Sequence, residues 1–157
     1  MGHATSKPAP LWLDALSAAG IAHQWTTDIL SRLWRKLALN CAINPLTVLK
    51  QCRNGELENY DNQVRLICAD LVKLLEHQGL SDAAQALYPE VSRVISATAR
   101  NFSSMYQDVS NGRRTEIAYL SGYACQVAQN AGLTLKHLSA VHQQLLEYLT
   151  RHGLPTR

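Results

Sequence analysis

Between Leu33 and Thr47 three polar residues recur at an interval of four, Lys36, Asn40 and Asn44, and the neighbours on their arc, Leu33, Leu37 and Ile43, are aliphatic. A helix turns by roughly 100° per residue, so each step of four displaces the side chain by only about 40° and the three polar groups form one row. An ammonium and two carboxamides in one row can face a single small polar ligand. The ammonium can polarise a carbonyl or give it a proton, and the amides can orient it through neutral hydrogen bonds. Arg32 and Arg35 fall on another side of the helix, one that suits solvent. A structural reading competes: lysine snorkels to water, and asparagines cap or bond neighbouring backbone, with Asn44 serving a break before Pro45. Each buried polar group needs a partner, since leaving one unsatisfied costs about 1–3 kcal/mol, and a bound substrate is one way to supply it. Spacing alone leans to the structural reading.

Two other places invite the same comparison. Ser104-x-x-Gln107 is by itself a good capping box for a short helix. Glu116, after Gly112-Arg113-Arg114-Thr115, stands in the first turn of its helix, where the positive end of the dipole favours a carboxylate. The four cysteines, Cys41, Cys52, Cys68 and Cys125, form no C-x-x-C pair, and the six histidines show neither H-E-x-x-H nor an i, i+4 pairing. No metal site is expected, and the thiols read as buried and free.

The elements that must carry these residues are helical from Thr27 onward. Thr27 or Asp28 is a fitting N-cap for a segment running toward Gln51, which Pro45 should kink or interrupt. A second helix fits Leu57 to Gln78, with Val64, Ile67, Leu71, Leu74 and Leu75 on one face and Gly79 as its stop. Ser81 to Leu87 reads as a short helix or turn. Pro89 suits the first position of a helix ending near Asn101. Ser104 to Asp108 makes one or two turns, Thr115 to Asn130 a further helix, and Leu135 to Arg151 the last, closed by Gly153 and Pro155. Before Thr27 the pattern differs. Lys7-Pro8-Ala9-Pro10 is a breaker, Leu11 to Ala19 a short helix ended by Gly20, and Ile21 to Thr27 extended.

The bulk numbers agree with one domain. The chain has 157 residues, 46% of them hydrophobic, and a net charge of +3 from scattered basic residues. Nothing masses into the basic stripe that nucleic acid would need, no apolar run approaches the roughly 20 residues that span a bilayer, and no signal peptide is visible. A cytoplasmic all-α domain is expected, with no nucleic-acid or membrane partner.

Taken together, Leu33-Trp34-Arg35-Lys36-Leu37 through Asn40 and Asn44-Pro45-Leu46-Thr47, then Asn54-Gly55-Glu56-Leu57, then Ser103-Ser104-Met105 with Gln107-Asp108, then Arg114-Thr115-Glu116-Ile117, resemble the C-terminal domain of ketopantoate reductases in order and interval. The resemblance implies a helical bundle like the C-terminal domain of 6-phosphogluconate dehydrogenase over residues 27–157. Residues 1–26 then correspond to the last helix and strand of an N-terminal dinucleotide-binding domain. Without the sheet it would join, the segment from Leu11 to Thr27 is expected to be disordered or to pair with another chain.

The same resemblance implies an NADPH-dependent 2-dehydropantoate 2-reductase, which reduces ketopantoate to pantoate on the route to pantothenate and coenzyme A. In it Lys36 gives the proton to the carbonyl oxygen, with partial burial easing that transfer. Asn40, Asn44, Asn54 and Ser104 bind the substrate, and Glu116 serves the catalytic network and the cofactor. Ala118 departs from the family pattern, which has an aspartate there. No G-x-G-x-x-G is present, so NADPH is expected to bind through the absent domain and this chain to be inactive alone. The alternatives are a helical dimerisation or interaction module without turnover, or a reductase of another small 2-keto acid. A homodimer is compatible with each.

Overall fold

The computed structural model describes residues 8–156, and among these every regular element is helical. The expectation of an all-α domain therefore holds. Its centre is α2, Ile29–Lys50, which packs against α3 (Asp61–His77), α5 (Leu87–Ala97), α6 (Ser104–Ser110) and α8 (Lys136–Arg151). Asp28 caps α2 by accepting the Ser31 N–H at 3.3 Å. The second half of the helix, Cys41 through Val48, is wholly buried.

That burial explains why Pro45 does not interrupt α2. A proline inside a helix costs about 3 kcal/mol or more through its lost N–H and the clash with the preceding turn. Leu46 and Val48 beside it are fully enclosed, and a buried aliphatic side chain contributes about 1.5–3 kcal/mol. The surrounding core outweighs the local penalty. The helix ends with Gln51 in the left-handed region, φ 52°.

Before α3 the chain forms a 3-10 helix, Asn54–Tyr60, so the helix expected from Leu57 begins only at Asp61. Long-range backbone bonds make the difference: Asn54 N–H donates to the Asn101 carbonyl at 2.9 Å and Gly55 N–H to that of Ala99 at 3.2 Å. Glu56 also folds back to accept the Arg53 N–H at 2.8 Å. The expected apolar face of α3 is in place, with Val64, Ile67, Leu71, Leu74 and Leu75 all buried.

A short α4, Ser81–Ala84, leads into α5, which starts at Leu87, so Pro89 is its third residue and not its first. Arg35 holds the intervening turn. Its Nη1 donates to the carbonyls of Ala83 and Gln85 at 2.6 and 2.5 Å, and its Nε donates to Glu90 at 2.6 Å. The expectation that Arg35 faces solvent is thus wrong. Three elements converge on it, and Ala86 adopts φ 51° to present the carbonyls.

After α6 the chain makes a π-helical turn, Ala118–Gly122, continued as α7, Tyr123–Asn130. The last helix, α8, begins without a side-chain cap of its own. Asp70 of α3, only 2% exposed, supplies one by accepting the His137 and Leu138 N–H groups at 2.6 and 3.1 Å.

The N-terminal segment stands apart from this core. Its helix α1, Leu13–Ala18, buries no residue, and Gly20 follows it at φ 69°. Residues 21–27 form no strand, as befits a segment with no neighbouring strand to bond. Leu11, Trp12, Ile21 and Trp25 are exposed. The first part of the expected 1–26 remnant, residues 1–7, lies outside the described residues.

Candidate functional site

The polar row on α2 runs from the surface into the domain: Lys36 is exposed, Asn40 half-buried and Asn44 buried at 6%. Lys36 opens onto a concavity of about 470 Å³ that also takes in Asp28, Ser31, Arg32, Leu39 and Asp82. The partial burial expected of Lys36 is not provided by this domain, because the first two turns of α2 project beyond the core, where Ile29, Leu30 and Leu33 are each more than half exposed.

Hydrogen bonding separates this row from its surroundings. Several nearby polar side chains are committed to the fold. Asp28 caps α2, Arg35 binds the α4–α5 turn, and buried Thr47 donates to the Asn44 carbonyl at 2.8 Å and meets Ser103 Oγ at 2.7 Å. Lys36, Asn40 and Asn44, by contrast, make no side-chain hydrogen bond or ion pair with any described residue. For exposed Lys36 this is unremarkable, but for two amides drawn into an apolar helix it is not. Among the described residues a fully enclosed unpartnered polar atom occurs only at Asn54 Oδ1, so the Asn44 amide, though buried, still reaches the surface.

The other predicted residues arrive from elements packed against α2. Ser104 is the first residue of α6 and is exposed. The cap of that helix is Ser103, whose Oγ accepts the Tyr106 N–H at 3.1 Å, and not Ser104 as the capping-box pattern suggested. Gln107 instead donates to the Phe102 carbonyl at 3.1 Å. Ser104 is thereby released from any structural duty. Glu116 stands just ahead of the π turn, which also contacts α2, and its exposed carboxylate has no partner among the described residues. Asn54 is different: its Nδ2 donates to Thr98 Oγ1 at 2.9 Å, so half of its amide is structural while Oδ1 is enclosed and orphaned. It lies beside the 98–101 stretch that leads into α6, not on the α2 row.

Titration of the remaining candidates argues against other chemistry. Burial pushes the Cys41 thiol far up and that of Cys68 up to about 12, so neither supplies a thiolate nucleophile at neutral pH. No three His, Cys, Asp or Glu side chains among the described residues are grouped to hold a metal ion. A larger concavity, about 790 Å³, lies between the π turn and α8, lined by Tyr119, Tyr123 and His142 among others. His142 hydrogen-bonds Ser121, a contact that no spacing in the sequence signals because it joins two helices.

An all-α domain with one row of uncommitted polar groups on its central helix is thus the class that fold and site define. The family model described as "Ketopantoate reductase PanE/ApbA C terminal" matches residues 28–148. The 2-dehydropantoate 2-reductase of Salmonella typhimurium is 40% identical over 121 residues, which are 77% of this chain and 40% of that enzyme. Among solved structures, a ketopantoate reductase from Ralstonia eutropha JMP134 superposes with TM-score 0.80 at 23% identity, over 89% of this chain and 48% of that one. A D-mandelate dehydrogenase solved with NADH and anilino(oxo)acetate gives TM-score 0.82 at 19% identity, over 90% of this chain and 60% of that one. The chain belongs to the ketopantoate reductase family and carries its C-terminal helical domain. It spans about 40% of the length of the curated relatives it matches.

Proposed function

We propose that this chain forms the substrate-side wall of an NADPH-dependent 2-dehydropantoate 2-reductase, with Lys36 as proton donor, Asn40, Asn44, Asn54 and Ser104 as substrate ligands, and Glu116 as catalytic partner and cofactor contact. The observation that carries this reading is the uncommitted state of the α2 row. Two amides drawn into the helix make no hydrogen bond to any described residue, whereas Arg35 and Thr47 beside them are bonded, and a bound ligand would supply the partner they lack. A 2-keto acid with a hydroxyl group offers acceptors and a donor of matching kind.

In this arrangement the Lys36 ammonium faces the ketone oxygen, stabilises the charge that develops there and gives up a proton to form the alcohol. Asn40 and Asn44 hold the substrate along the helix, and Ser104 meets it from α6. The orphaned Oδ1 of Asn54 accepts a hydrogen bond once a donor enters. Among the described residues there is no strand and no glycine-rich turn after a strand to cradle a pyrophosphate, so these residues do not fit the dinucleotide by themselves. The proposal assigns NADPH, the source of hydride, to a dinucleotide-binding domain beyond this chain. Exposed Ile29, Leu30 and Leu33 then belong to the face such a domain would cover, and closure there would desolvate Lys36.

An NMR titration of the labelled chain with pantoate, beside an NADPH-linked ketopantoate reduction assay, tests this. Shifts centred on Asn40, Asn44 and Ser104 that Asn40→Ala weakens without unfolding the domain are expected, together with no turnover by the chain alone. Turnover by this chain, or pantoate shifts scattered away from α2, would overturn it. Weaker shifts from pantoate than from other small 2-hydroxy acids would instead point to a different 2-keto acid substrate.

A further inference from the structure

The backbone around Glu116 is set by an uncommon device. Glu116's own carbonyl accepts from the Tyr119 and Leu120 N–H groups at 2.9 and 3.0 Å, and the Ile117 carbonyl accepts from Gly122 N–H at 3.0 Å. That last bond spans five residues and defines the π turn, a geometry that is rare and often found at functional sites. Since the Glu116 carboxylate has no partner among the described residues, what the fold sets is the direction in which its side chain leaves the backbone, and this turn sets it.

Two residues hold the turn, one within it and one from outside. Ser121 is completely buried, and its hydroxyl, which in an α-helix would commonly bond back to the carbonyl four residues earlier, here meets His142 Nδ1 at 2.9 Å. The imidazole lies directly over Gly122: a Cβ there would sit 3.3 Å from His142 Cε1 and 3.2 Å from the Ile117 carbonyl oxygen. His142 itself comes from α8, whose first turn Asp70 anchors to α3. We infer that Ser121 and His142 form a positioning pair that fixes the π turn and, through it, the direction of Glu116. This rests on the site reading above for the importance of Glu116, but the coupling it asserts is independent of any ligand.

The hydrogen-bond inventory says how the pair responds to a proton. His142 lines the concavity beside the π turn, and in the tautomer with its proton on Nε2 the ring accepts from the Ser121 hydroxyl at Nδ1. Burial holds His142 below the ordinary imidazole range, which keeps it neutral at pH 7. The titratable side chains sharing the concavity are Tyr119 and Tyr123, and no carboxylate, lysine or arginine lines it. When His142 takes up a second proton, Nδ1 becomes a donor and Ser121 must accept. The serine's own proton then needs another acceptor, and the carbonyl four residues earlier, the usual one for a serine within a helix, is that of Ile117, the acceptor of the π bond. Protonation therefore loosens the turn.

The test is an NMR pH titration of the labelled chain between pH 7.5 and 5, following His142 Cε1–H and the amides of residues 116–122. In the wild type the Glu116, Leu120 and Gly122 amides should move with the midpoint of His142. In Ser121→Ala, His142 should still titrate while those amides no longer follow it. His142→Asn, whose amide can occupy the place of Nδ1, should keep the wild-type amide positions and lose their pH dependence, and it serves if Ser121→Ala does not fold. Amides blind to the His142 midpoint in the wild type, or moving identically in Ser121→Ala, would overturn the pair. Pantoate added to the same samples separates the two readings. Intact coupling without pantoate shifts on α2 refutes the site alone, and pantoate shifts without coupling refute the positioning pair alone.

Discussion

The cap that Asp70 places on α8 sets the stability of the half of the domain that carries His142. One carboxylate oxygen, buried on α3, accepts two N–H groups at the start of a helix that has no local side-chain cap. Hydrogen bonds to a charged group contribute about 1.5–3 kcal/mol each, and the helix dipole adds up to ~2 kcal/mol in partly buried geometry. The two bonds share one oxygen, so their contributions overlap and the lower end applies. Asp70→Ala should cost about 3 kcal/mol, with the two amides left inside a closed site. Asp70→Asn retains a carbonyl acceptor of the same shape but not the charge, and should cost about half as much. For a chain of this size 1 kcal/mol moves the melting temperature by roughly 2–4 °C, so Asp70→Ala should melt about 6–12 °C below the wild type. Differential scanning calorimetry gives the melting temperatures, and hydrogen exchange at His137 and Leu138 locates the loss. If Asp70→Ala melts within 2 °C of wild type, or if protection is lost evenly through the domain instead of first at α8, the capping argument fails.

Three further outcomes follow from packing. Gly55→Ala should destabilise the domain by about 1–3 kcal/mol, read from the urea midpoint, because its Cβ would lie 2.6 Å from Ala99 Cβ and 2.9 Å from Ala99 Cα. Gly79→Ala, which meets open space, should cost only the strain of its positive φ, about 1–2 kcal/mol. Toward a thiol reagent at pH 8, Cys125, only partly buried, should react first, while Cys41 and Cys68 should label no faster than the domain opens. Early labelling of Cys41 would show that the centre of α2 is not closed as described.

What the sequence disclosed and what it hid divide along the range of the interactions involved. The Asp28 cap, the apolar faces of α3 and α8, and the row of Lys36, Asn40 and Asn44 depend on neighbours within a turn or two, and all are readable from spacing. The late start of α3 depends on bonds from Asn54 and Gly55 to Asn101 and Ala99, and the left-handed Ala86 on the carbonyls of Ala83, Gln85 and Ala86 itself gathered around Arg35. Neither has a local signature. The choice of Ser103 over Ser104 as cap hides for the same reason, since its decisive partner, Thr47, comes from α2. The π turn is hidden most thoroughly. Its residues read as plain α-helix, and only His142 on another helix and the room left by Gly122 make the wider turn tenable.

Arg35 and Lys36 show why a site can be half legible. They are adjacent cations on one helix, and composition gives no reason to separate them. Arg35 lies on the side facing α4 and α5, where three carbonyls and a carboxylate bind it, whereas Lys36, about 100° further round, meets none of these groups. The fold thus spends one charge on its own architecture and leaves the next unpaired, in line with two amides that are likewise unpaired. Had the row been merely a wet face, Asn44 would be exposed. Had it been structural, its amide would be bonded. It is neither, which is the pattern the proposed substrate role requires: a row that enters the domain and keeps its amides free of the other described residues.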